Sequence, residues 1–483
     1  SDGATHKYIE RNFNGSLTLQ AQQGVRGGTD LNCGGLYGEQ AAAAVQLGEL
    51  RESELDTALL RVYTKAFQLG ILDSSESQDH SPGSFVNPNP YAKLDERNVD
   101  TPAHRALALE GALQGQVLLK NVANRLPLKK EMIGKLALIG PHANGSIAFL
   151  GGKNYYGANT LVDSCSPLLR ARARLGTASV SYAEGCDIST NDTSGFASAV
   201  AAAKAADTVV LFIGIDGSIE NEGHDRHDLT LPGVQEKLAL AVAEAATSPV
   251  IVVLVNGGPL AIESLKESSK VGAILEAFLP GQFGAEAVIQ LLLGEASPSG
   301  LLPVTVYGAD FIKRRAITNL DLRGSGGVTY RYFDGVPLYP FGYGLSYAEF
   351  LFSGDVSSVL HTTVAKASAA KASSLCFKAS VANVAGSDFT SDVVLLAFIA
   401  STLPDAPRNP KLVDFQRVAA VAPGETRDVL LCVNALGRGG LGLVDAEGNE
   451  RVLPGTYTVT VGVSGGVGGS GAGSVVGTLI VAP

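Results

Sequence analysis

The chain has 483 residues, of which 45% are hydrophobic and 17% charged, and it carries a formal net charge of −10. The length exceeds what a single hydrophobic core supports, and this composition excludes a disordered chain. The acidic excess argues against nucleic-acid or anionic-membrane partners, because phosphate-rich surfaces repel a negative protein. No apolar run approaches the roughly 20 residues that cross a bilayer.

The first 70 residues are predicted to contain two helices, at 39–50 and 52–69. The apolar face of the second comprises Leu55, Leu59, Val62, Ala66 and Leu69. Before these helices, GVRGGTDLNCGG (24–35) predicts a short buried strand that ends in a polar turn. These elements do not make a complete domain, so we expect this segment to pack on another part of the protein.

A linker is predicted at 71–98, and Thr101-Pro102 indicates the start of a helix that continues through Asn121. Beyond it, short apolar runs alternate with helical stretches at 194–206 and 284–293. The runs are KLALIG (135–140), TVVLFIG (208–214), PVIVVLVN (249–256) and VGAILEAF (271–278). This alternation is typical of a mostly parallel sheet covered by helices on both faces, so residues 99–310 are predicted to form an α/β/α sandwich.

Residues 311–371 are interpreted as a connecting segment, after which the pattern changes. From 372 to 483, alternating strands are separated by turn signals such as PGET and LPGT. The predicted strands are LCFKASVANV, DVVLLAFIA, KLVDFQRVAAV, TRDVLLCVN and GTYTVTVGV, followed by a glycine-rich tract at 462–477 and a final strand. Such spacing predicts a small β-sandwich of immunoglobulin or fibronectin type, which makes the chain α/β plus all-β.

Five cysteines are too few for a disulfide scaffold, and no CxxC or HxxxH spacing indicates a metal site. Cys165 could pair with Cys186, and Cys376 with Cys432, which leaves Cys33 over. Three glycosylation sequons begin at Asn14, Asn144 and Asn191. These features favour a secreted or extracellular protein, with a lysosomal or vacuolar one as the alternative.

The strongest candidate for chemistry is the segment IENEGHDRHDLTLPG (219–233), which directly follows the apolar run TVVLFIGI. Its titratable residues are Glu220, Glu222, His224, Asp225, Arg226, His227 and Asp228. A buried strand that leads into a loop rich in carboxylates is where α/β proteins place polar chemistry. The alternative is a solvated loop in which Asp225 and Arg226 pair for structure.

Other chemistries find little support in the sequence. IGPHANG (139–145) and IGIDGSIENEG (213–223) both miss the G-x-G-x-x-G spacing of a dinucleotide site, and lone serines and histidines give no signal of a nucleophilic triad. A pair of carboxyl groups remains. Glycoside hydrolysis uses one carboxyl group as the acid and another to attack the sugar, about 5–5.5 Å apart when configuration is retained. Glu220 or Glu222 could supply the acid, and its partner could lie far away in sequence.

Seven segments, in order along the chain, resemble family 3 glycoside hydrolases, especially their β-xylosidase branch. They are SD (1–2), GGTDLNCGG (27–35), ALALEGALQGQVLLKN (106–121), ALIGPHAN (137–144), SYAEGCDI (181–188), GIDGSIENEGHDRHDLTLPGVQ (214–235) and TYRYFDGVPLYPFGYGLSYAEF (329–350). The resemblance covers the carboxyl-terminal two-thirds of such enzymes. It implies the end of a TIM-type barrel at 1–70, then the α/β/α sandwich, then a fibronectin type III-like domain.

The resemblance also implies roles for individual residues. The nucleophile falls on Asp2 and the acid/base on Glu220, with Glu222 as the fallback and as a substrate contact. Asn154 and Tyr155, in the loop GGKNYYGAN (151–159), are implied sugar contacts. Asp225 and Arg226 are expected to brace the catalytic loop, and Asp30 to shape the barrel floor.

The implied activity is that of a retaining, exo-acting β-xylosidase that hydrolyses terminal sugars of an oligosaccharide or glycoside. It needs no metal and no organic cofactor. A β-glucosidase, an α-arabinofuranosidase and a non-catalytic secreted scaffold are the alternatives. Because a TIM-type barrel takes about 250 residues, we expect the chain to act with an amino-terminal barrel fragment or second chain, and homo-oligomerisation stays open. Three explanations for the absent barrel portion stay open, namely a processed fragment, a partial chain and a degenerate homologue.

Overall fold

The computed structural model describes residues 15–71, 94–145, 166–221, 223–354, 360–363, 375–434, 440–445, 448–462 and 475–483. These residues form two compact units, which meet along the chain between residues 102 and 103. The described part of the first unit is helical, and every strand that the structure describes belongs to the second.

The first unit contains helices α1 (Leu17–Arg26), α2 (Leu36–Gln46) and α3 (Glu52–Gln68), and a 3-10 turn at Glu96–Asn98. Val25 of α1, Ala44 of α2 and Leu50, which precedes α3, form a small apolar core, and Leu55 of α3 packs against it. The strand predicted at 24–35 is wrong, because Gly24 to Arg26 form the last turn of α1. Ala21 and Val25, four residues apart, are both buried, which is a helical spacing.

Ion pairs connect the helices of this unit. Arg26 pairs with Glu54 at 2.8 Å, and Arg61 Nη1 donates to Asp30 Oδ1 at 3.0 Å. Asp30, which was expected to shape a barrel floor, therefore ties the segment after α1 to α3. The predicted apolar face of α3 is largely open among the described residues, since Leu59 and Leu69 are each 49% exposed.

The second unit is built on a six-stranded sheet. Its strands are β1 (Val117–Asn121), β2 (Leu136–Ile139), β3 (Val180–Ala183), β4 (Thr208–Gly214), β5 (Val250–Val255) and β6 (Val271–Glu276), in the spatial order β1-β6-β5-β4-β2-β3. All neighbouring pairs are parallel except β1 with β6. The four predicted apolar runs are β2, β4, β5 and β6, and the sheet therefore confirms them as strands.

Each face of the sheet has its own apolar core because side chains alternate along a strand. On β4, Val209, Leu211 and Ile213 point to one core. Val210 and Phe212 point to the other. A strand buried on both faces must be apolar throughout, which explains the continuous runs.

Helices cover both faces. They are α4 (Pro102–Gly115), α5 (Pro167–Leu175), α6 (Phe196–Lys204), α7 (Gln235–Ala245), α8 (Glu263–Glu267) and α9 (Gly284–Leu292). Residues of α6 and α7 pack into the first core, and residues of α5 and α9 into the second. The helix predicted from Thr101 through Asn121 ends at Gly115, because Val117, Leu118 and Leu119 are fully buried as strand β1 against β6.

Two short helices, α10 (Phe311–Arg314) and α11 (Thr329–Tyr332), follow the strands of the parallel sheet along the chain and precede those of a group of mainly antiparallel sheets. The strands of that group are β7 (Phe350–Ser353), β8 (Leu360–Thr363), β9 (Leu375–Asn383), β10 (Ser391–Ala400), β11 (Lys411–Val421), β12 (Thr426–Val433), β13 (Leu443–Val444), β14 (Glu450–Arg451), β15 (Gly455–Gly462) and β16 (Val475–Ala482). The predicted connecting segment, 311–371, thus contributes two strands, β7 and β8, to these sheets.

A five-stranded sheet, β11-β10-β15-β16-β8, and a three-stranded sheet, β12-β9-β7, enclose one apolar core, and β13 and β14 form a separate two-stranded pair. The neighbouring strands of these sheets are antiparallel except β16 and β8, which pair in parallel. Cys376 on β9 and Cys432 on β12 lie opposite each other and form a disulfide, which confirms that pairing. Cys186 is a free, buried thiol, whereas Cys165 lies outside the described residues. None of the described helices has the length and apolar character of a membrane span.

Candidate active site

The carboxyl ends of β4 and β5 bring two loops together. The strands are parallel neighbours in register, with Gly214 opposite Val255, so the loops that follow them begin at the same edge of the sheet. The first loop carries Glu220, and the second begins with the sequence Asn256-Gly-Gly-Pro259. This edge is the usual position for a ligand site in an open α/β sheet.

Local hydrogen bonds fold the loop after β4. The backbone N–H and the hydroxyl group of Ser218 both donate to Asp216 Oδ1, at 2.9 and 2.6 Å. The Glu220 N–H donates to the Asp216 carbonyl at 3.3 Å, and Asn221 and His224 exchange backbone hydrogen bonds of 3.2 and 3.0 Å. The aspartate-centred turn therefore fixes the backbone from which the Glu220 side chain extends.

The Glu220 carboxylate is held by one ion pair and one hydrogen bond. Arg226 Nε lies 2.5 Å from Glu220 Oε2, and the Gly258 N–H donates to Glu220 Oε1 at 2.6 Å. The Arg226 guanidinium also donates to the Pro259 carbonyl at 3.0 Å. These contacts fix the position of the Glu220 carboxyl group between the loop after β4 and the loop after β5.

Arg226 braces the loop as expected, although its partner is Glu220 and not Asp225, which is exposed. The Arg226 side chain is only 11% exposed, and its Nε and Nη1 are buried without a hydrogen-bond partner among the described residues. A buried guanidinium that loses its counterion is costly, which makes Glu220 structurally important. A side chain at Gly258 would disturb this contact, because a Cβ there would lie 2.6 Å from Arg226 Nη2.

A buried polar pair lies directly beneath this contact. Asn256, at the end of β5, is fully buried and donates from Nδ2 to the Gly258 carbonyl at 3.1 Å. Glu276, the last residue of β6, is buried and accepts the Phe278 N–H at 3.1 Å. Burial raises the pKa of Glu276 to about 8, and hydrogen bonds from Phe278 and Asn256 oppose the shift. The sequence analysis missed both residues, although a lone carboxylate inside the apolar run VGAILEAF was a visible signal.

Two more buried polar residues fix the end of β4. Gln235, the first residue of α7, accepts the Gly214 N–H and donates to the Gly214 carbonyl, both at 2.8 Å. His142, which follows β2, is also buried, and burial lowers its pKa to about 4, with the charge of Asp216 and a hydrogen bond to the Gly214 backbone opposing the shift. The edge is thus rich in buried polar groups, which is frequent at functional sites.

Of the five site residues predicted from sequence, the structure describes Glu220. Asp2, Asn154, Tyr155 and Glu222 lie outside the described residues. The described residues contain no group of three or more side chains that could hold a metal ion.

Comparison with known proteins finds a family model that matches the part of the chain containing this site. Residues 116–347 match the glycosyl hydrolase family 3 C-terminal domain. The chain is 33% identical over 481 residues to a β-D-xylosidase 1 of Arabidopsis thaliana, covering 94% of this chain and 59% of that protein. It is 36% identical over 471 residues to a probable exo-1,4-β-xylosidase of Aspergillus fumigatus, covering 94% and 57%.

Solved structures give a similar result. A family 3 exo-β-xylosidase in complex with a xylobiose aziridine activity-based probe superposes with a TM-score of 0.83 at 28% identity, covering 100% of this chain and 60% of that one. A β-glucosidase from Listeria innocua in complex with glucose superposes with a TM-score of 0.75 at 25% identity, covering 100% and 62%. The chain therefore spans about three fifths of the length of the relatives it matches.

Proposed function

Because the chain belongs to glycosyl hydrolase family 3, we propose that it forms part of a retaining, exo-acting β-glycosidase, and specifically of a β-xylosidase. The observation that carries this proposal is the similarity to β-xylosidases over 94% of the chain, at 33–36% identity. The carboxylate loop at the carboxyl edge of the sheet supplies the residue types that the reaction needs. The substrate would be a terminal, non-reducing sugar of an oligosaccharide or glycoside.

In this proposal Asp2 is the nucleophile and a glutamate of the loop after β4 is the acid/base. The acid/base must carry a proton when the glycosidic bond breaks. Both carboxylate oxygens of Glu220 are already engaged, Oε2 by Arg226 and Oε1 by the Gly258 N–H, whereas a proton donor must present an oxygen to the glycosidic bond. This favours Glu222 as the acid/base and gives Glu220 the role of anchoring Arg226. Asn154 and Tyr155 stay proposed sugar contacts.

A β-glucosidase is the second candidate, since the β-glucosidase of Listeria innocua in complex with glucose has the same fold over the whole chain. The two enzymes differ in whether the site accepts the hydroxymethyl group that glucose has and xylose lacks. Turnover of β-xylosides and β-glucosides by the same preparation decides between them.

The proposed enzyme also requires a barrel portion in addition to this chain. The matched relatives are longer than the chain, which covers 57–60% of them. The first unit supports this view, because α3 exposes Leu60, Tyr63 and Phe67 to between 51% and 69%. Large apolar side chains in a row on one helix are typical of a surface that packs against another part of a protein.

The antiparallel sheets are proposed to be a fibronectin type III-like domain. Two sheets that enclose one apolar core, with alternating burial along β9 and β15, support this assignment. The disulfide between Cys376 and Cys432 supports a secreted or extracellular protein, because such bonds persist in oxidising compartments. The sequon residues Asn144 and Asn191 are both exposed, as glycosylation requires.

The acid/base assignment is tested with Glu222→Gln and Glu220→Gln in the full-length protein. Glu222→Gln should lower kcat/KM on xylobiose about 10²–10⁴-fold, but should spare a dinitrophenyl β-xyloside, whose leaving group needs no proton. Added azide should restore turnover and yield the β-xylosyl azide. Glu220→Gln should affect both substrates alike and lower the melting temperature, because it leaves Arg226 without its counterion.

Asp2→Asn is the companion variant and should abolish turnover of both substrates. If Glu220→Gln shows the dependence on leaving group and the azide rescue, the acid/base is Glu220. If the wild-type full-length protein hydrolyses neither β-xylosides nor β-glucosides, the proposed function is wrong.

A further inference from the structure

A groove with basic side chains is formed by residues that lie far from the catalytic loop in sequence. We define it by Arg323, Arg331, Tyr332 and Lys411, which line a cavity of about 490 Å³. This volume is within the range of small-molecule binding sites. None of the residues proposed for catalysis contributes to it.

The two arginines share one aromatic ring and have no carboxylate partner among the described residues. The guanidinium carbons of Arg323 and Arg331 lie 5.4 and 5.9 Å from the centre of the Tyr332 ring. Within the described part of the chain, neither arginine forms an ion pair, and Arg331 Nε is buried without a hydrogen-bond partner. Arg408, in contrast, is paired with Asp334 at 2.9 Å.

Lys411 adds a third, buried cation. Its residue exposure is 8%, and its Nζ donates to the Gly442 carbonyl at 3.0 Å. Burial lowers the pKa of Lys411, the nearby charge of Arg331 lowers it further, and Glu450 opposes the shift. Two cations that repel each other around one cavity are stabilised by an anion between them. The chain as a whole has a charge of −10, so this concentration of positive charge is local.

The other lining groups restrict the kind of anion. Asp405 and Glu450 also line the groove. They would repel a multiply charged phosphate, whereas they can accept hydrogen bonds from sugar hydroxyl groups. Guanidinium groups bind carboxylates through paired hydrogen bonds, and a tyrosine ring offers apolar surface to a sugar. The ligand that fits is therefore a polyhydroxylated molecule with a single negative charge.

We propose that the basic groove binds an oligosaccharide that carries a carboxylate, namely a xylo-oligosaccharide with a uronic acid branch. The carboxylate would lie between Arg331 and Lys411, with Arg323 as the third cation of the groove, and the neighbouring sugar would contact Tyr332. The identity of the sugar rests on the proposed function, whereas the preference for a singly charged, hydroxylated ligand rests on the groove itself. Such a site would hold the protein on acidic, branched substrate while catalysis proceeds elsewhere.

The test is calorimetric titration of the full-length protein with a uronic acid-branched xylotriose. We expect binding that weakens about ten- to hundredfold in Arg323→Gln/Arg331→Gln, while turnover of a neutral aryl β-xyloside is unchanged. Arg427→Gln is the matched control, because Arg427 is paired with Glu425 on the surface of the antiparallel sheets and should leave binding intact. Neutral xylotetraose and inorganic phosphate should not displace the acidic ligand.

Equal binding by the double variant, or no binding by the wild type, overturns the proposal. If phosphate or acetate displaces the acidic ligand at similar concentrations, the groove is a general anion site, and this result also overturns the proposal. If the double variant does not fold, Arg323→Gln alone, at an exposed position, should still weaken binding. Because binding is measured without turnover, a negative result is distinct from failure of the proposed hydrolase activity, which the neutral xyloside reports.

Discussion

The carboxyl edge of the parallel sheet and the interior of the antiparallel sheets use burial differently. At the edge, Asn256, Glu276 and His142 bury polar or titratable groups, and Arg226 has buried nitrogens without a hydrogen-bond partner in the described part of the chain. The core between the antiparallel sheets is mainly apolar, although Asn383 and Lys411 are also buried in this region, and a disulfide joins β9 and β12. Buried polar groups cost stability unless they are compensated. The edge therefore concentrates this cost around one loop, as is frequent at functional sites.

The largest expected effect comes from a glycine at the edge. Gly214, with φ of +150°, has no room for a side chain, because a Cβ would lie 1.9 Å from the Val255 carbonyl oxygen. Gly214→Ala should lower the free energy of unfolding by about 4 kcal/mol, through backbone strain and overpacking together. Urea denaturation followed by circular dichroism measures the loss.

Gly424, in the antiparallel region, is the matched control. Its φ is +78°, but the nearest atom to an added Cβ is 3.8 Å away, so Gly424→Ala should cost about 1 kcal/mol from backbone strain alone. Equal losses in the two variants would contradict the contrast between the two regions.

The next effect is a dependence of stability on pH that comes from Glu276. Its pKa is raised from 4.5 to about 8 in the folded state, so its contribution to stability is complete below pH 4.5 and is lost as pH rises through 8. Relative to Glu276→Gln, the wild type should lose up to about 1.4 kcal/mol of unfolding free energy per pH unit in that window. Denaturation midpoints of both proteins at pH 5, 6, 7 and 8 provide the measurement.

A smaller effect of opposite sign is expected from His142. Its pKa is lowered from 6.5 to about 4, so its contribution is complete above pH 6.5 and is lost as pH falls through 4. Relative to His142→Gln, the wild type should lose up to about 1.4 kcal/mol per pH unit over this narrower window. Glu276 and His142 oppose each other between pH 4.5 and 6.5, so each is measured as the difference between its variant and the wild type. Parallel profiles in all three proteins would mean that neither group titrates as its burial requires.

Much of the fold was predictable because a strand that is buried on both faces is a continuous apolar run in the sequence. Strands β2, β4, β5 and β6 are continuous apolar runs, and the alternating strands from residue 375 onward are bounded by turns. Strand β3 (Val180–Ala183) escaped prediction because it is four residues long and exposes Ser181. Val117 to Asn121 was predicted as helix because a helix directly precedes it, whereas its pairing with β6 makes it a strand.

The site was predictable in position but not in its contacts. The dense charges of the loop after β4 mark it in the sequence, and the strand before the loop indicates the edge of a sheet. The partners of Glu220 could not be derived in this way, because Gly258 belongs to the loop after β5 and becomes a neighbour through strand pairing. Whether a glutamate acts as an acid or as a counterion depends on such contacts and not on its own sequence position.

The amide side chain of Gln235 holds the end of β4 in place and carries no charge. Its oxygen and nitrogen both engage Gly214, and the nitrogen also donates to the Ile188 carbonyl at 2.7 Å. An amide does not titrate, so the point from which the loop departs stays in place over the pH range in which Glu276 and His142 change their protonation. A change in pH can therefore alter the charges around the loop without moving the end of β4 from which the loop begins.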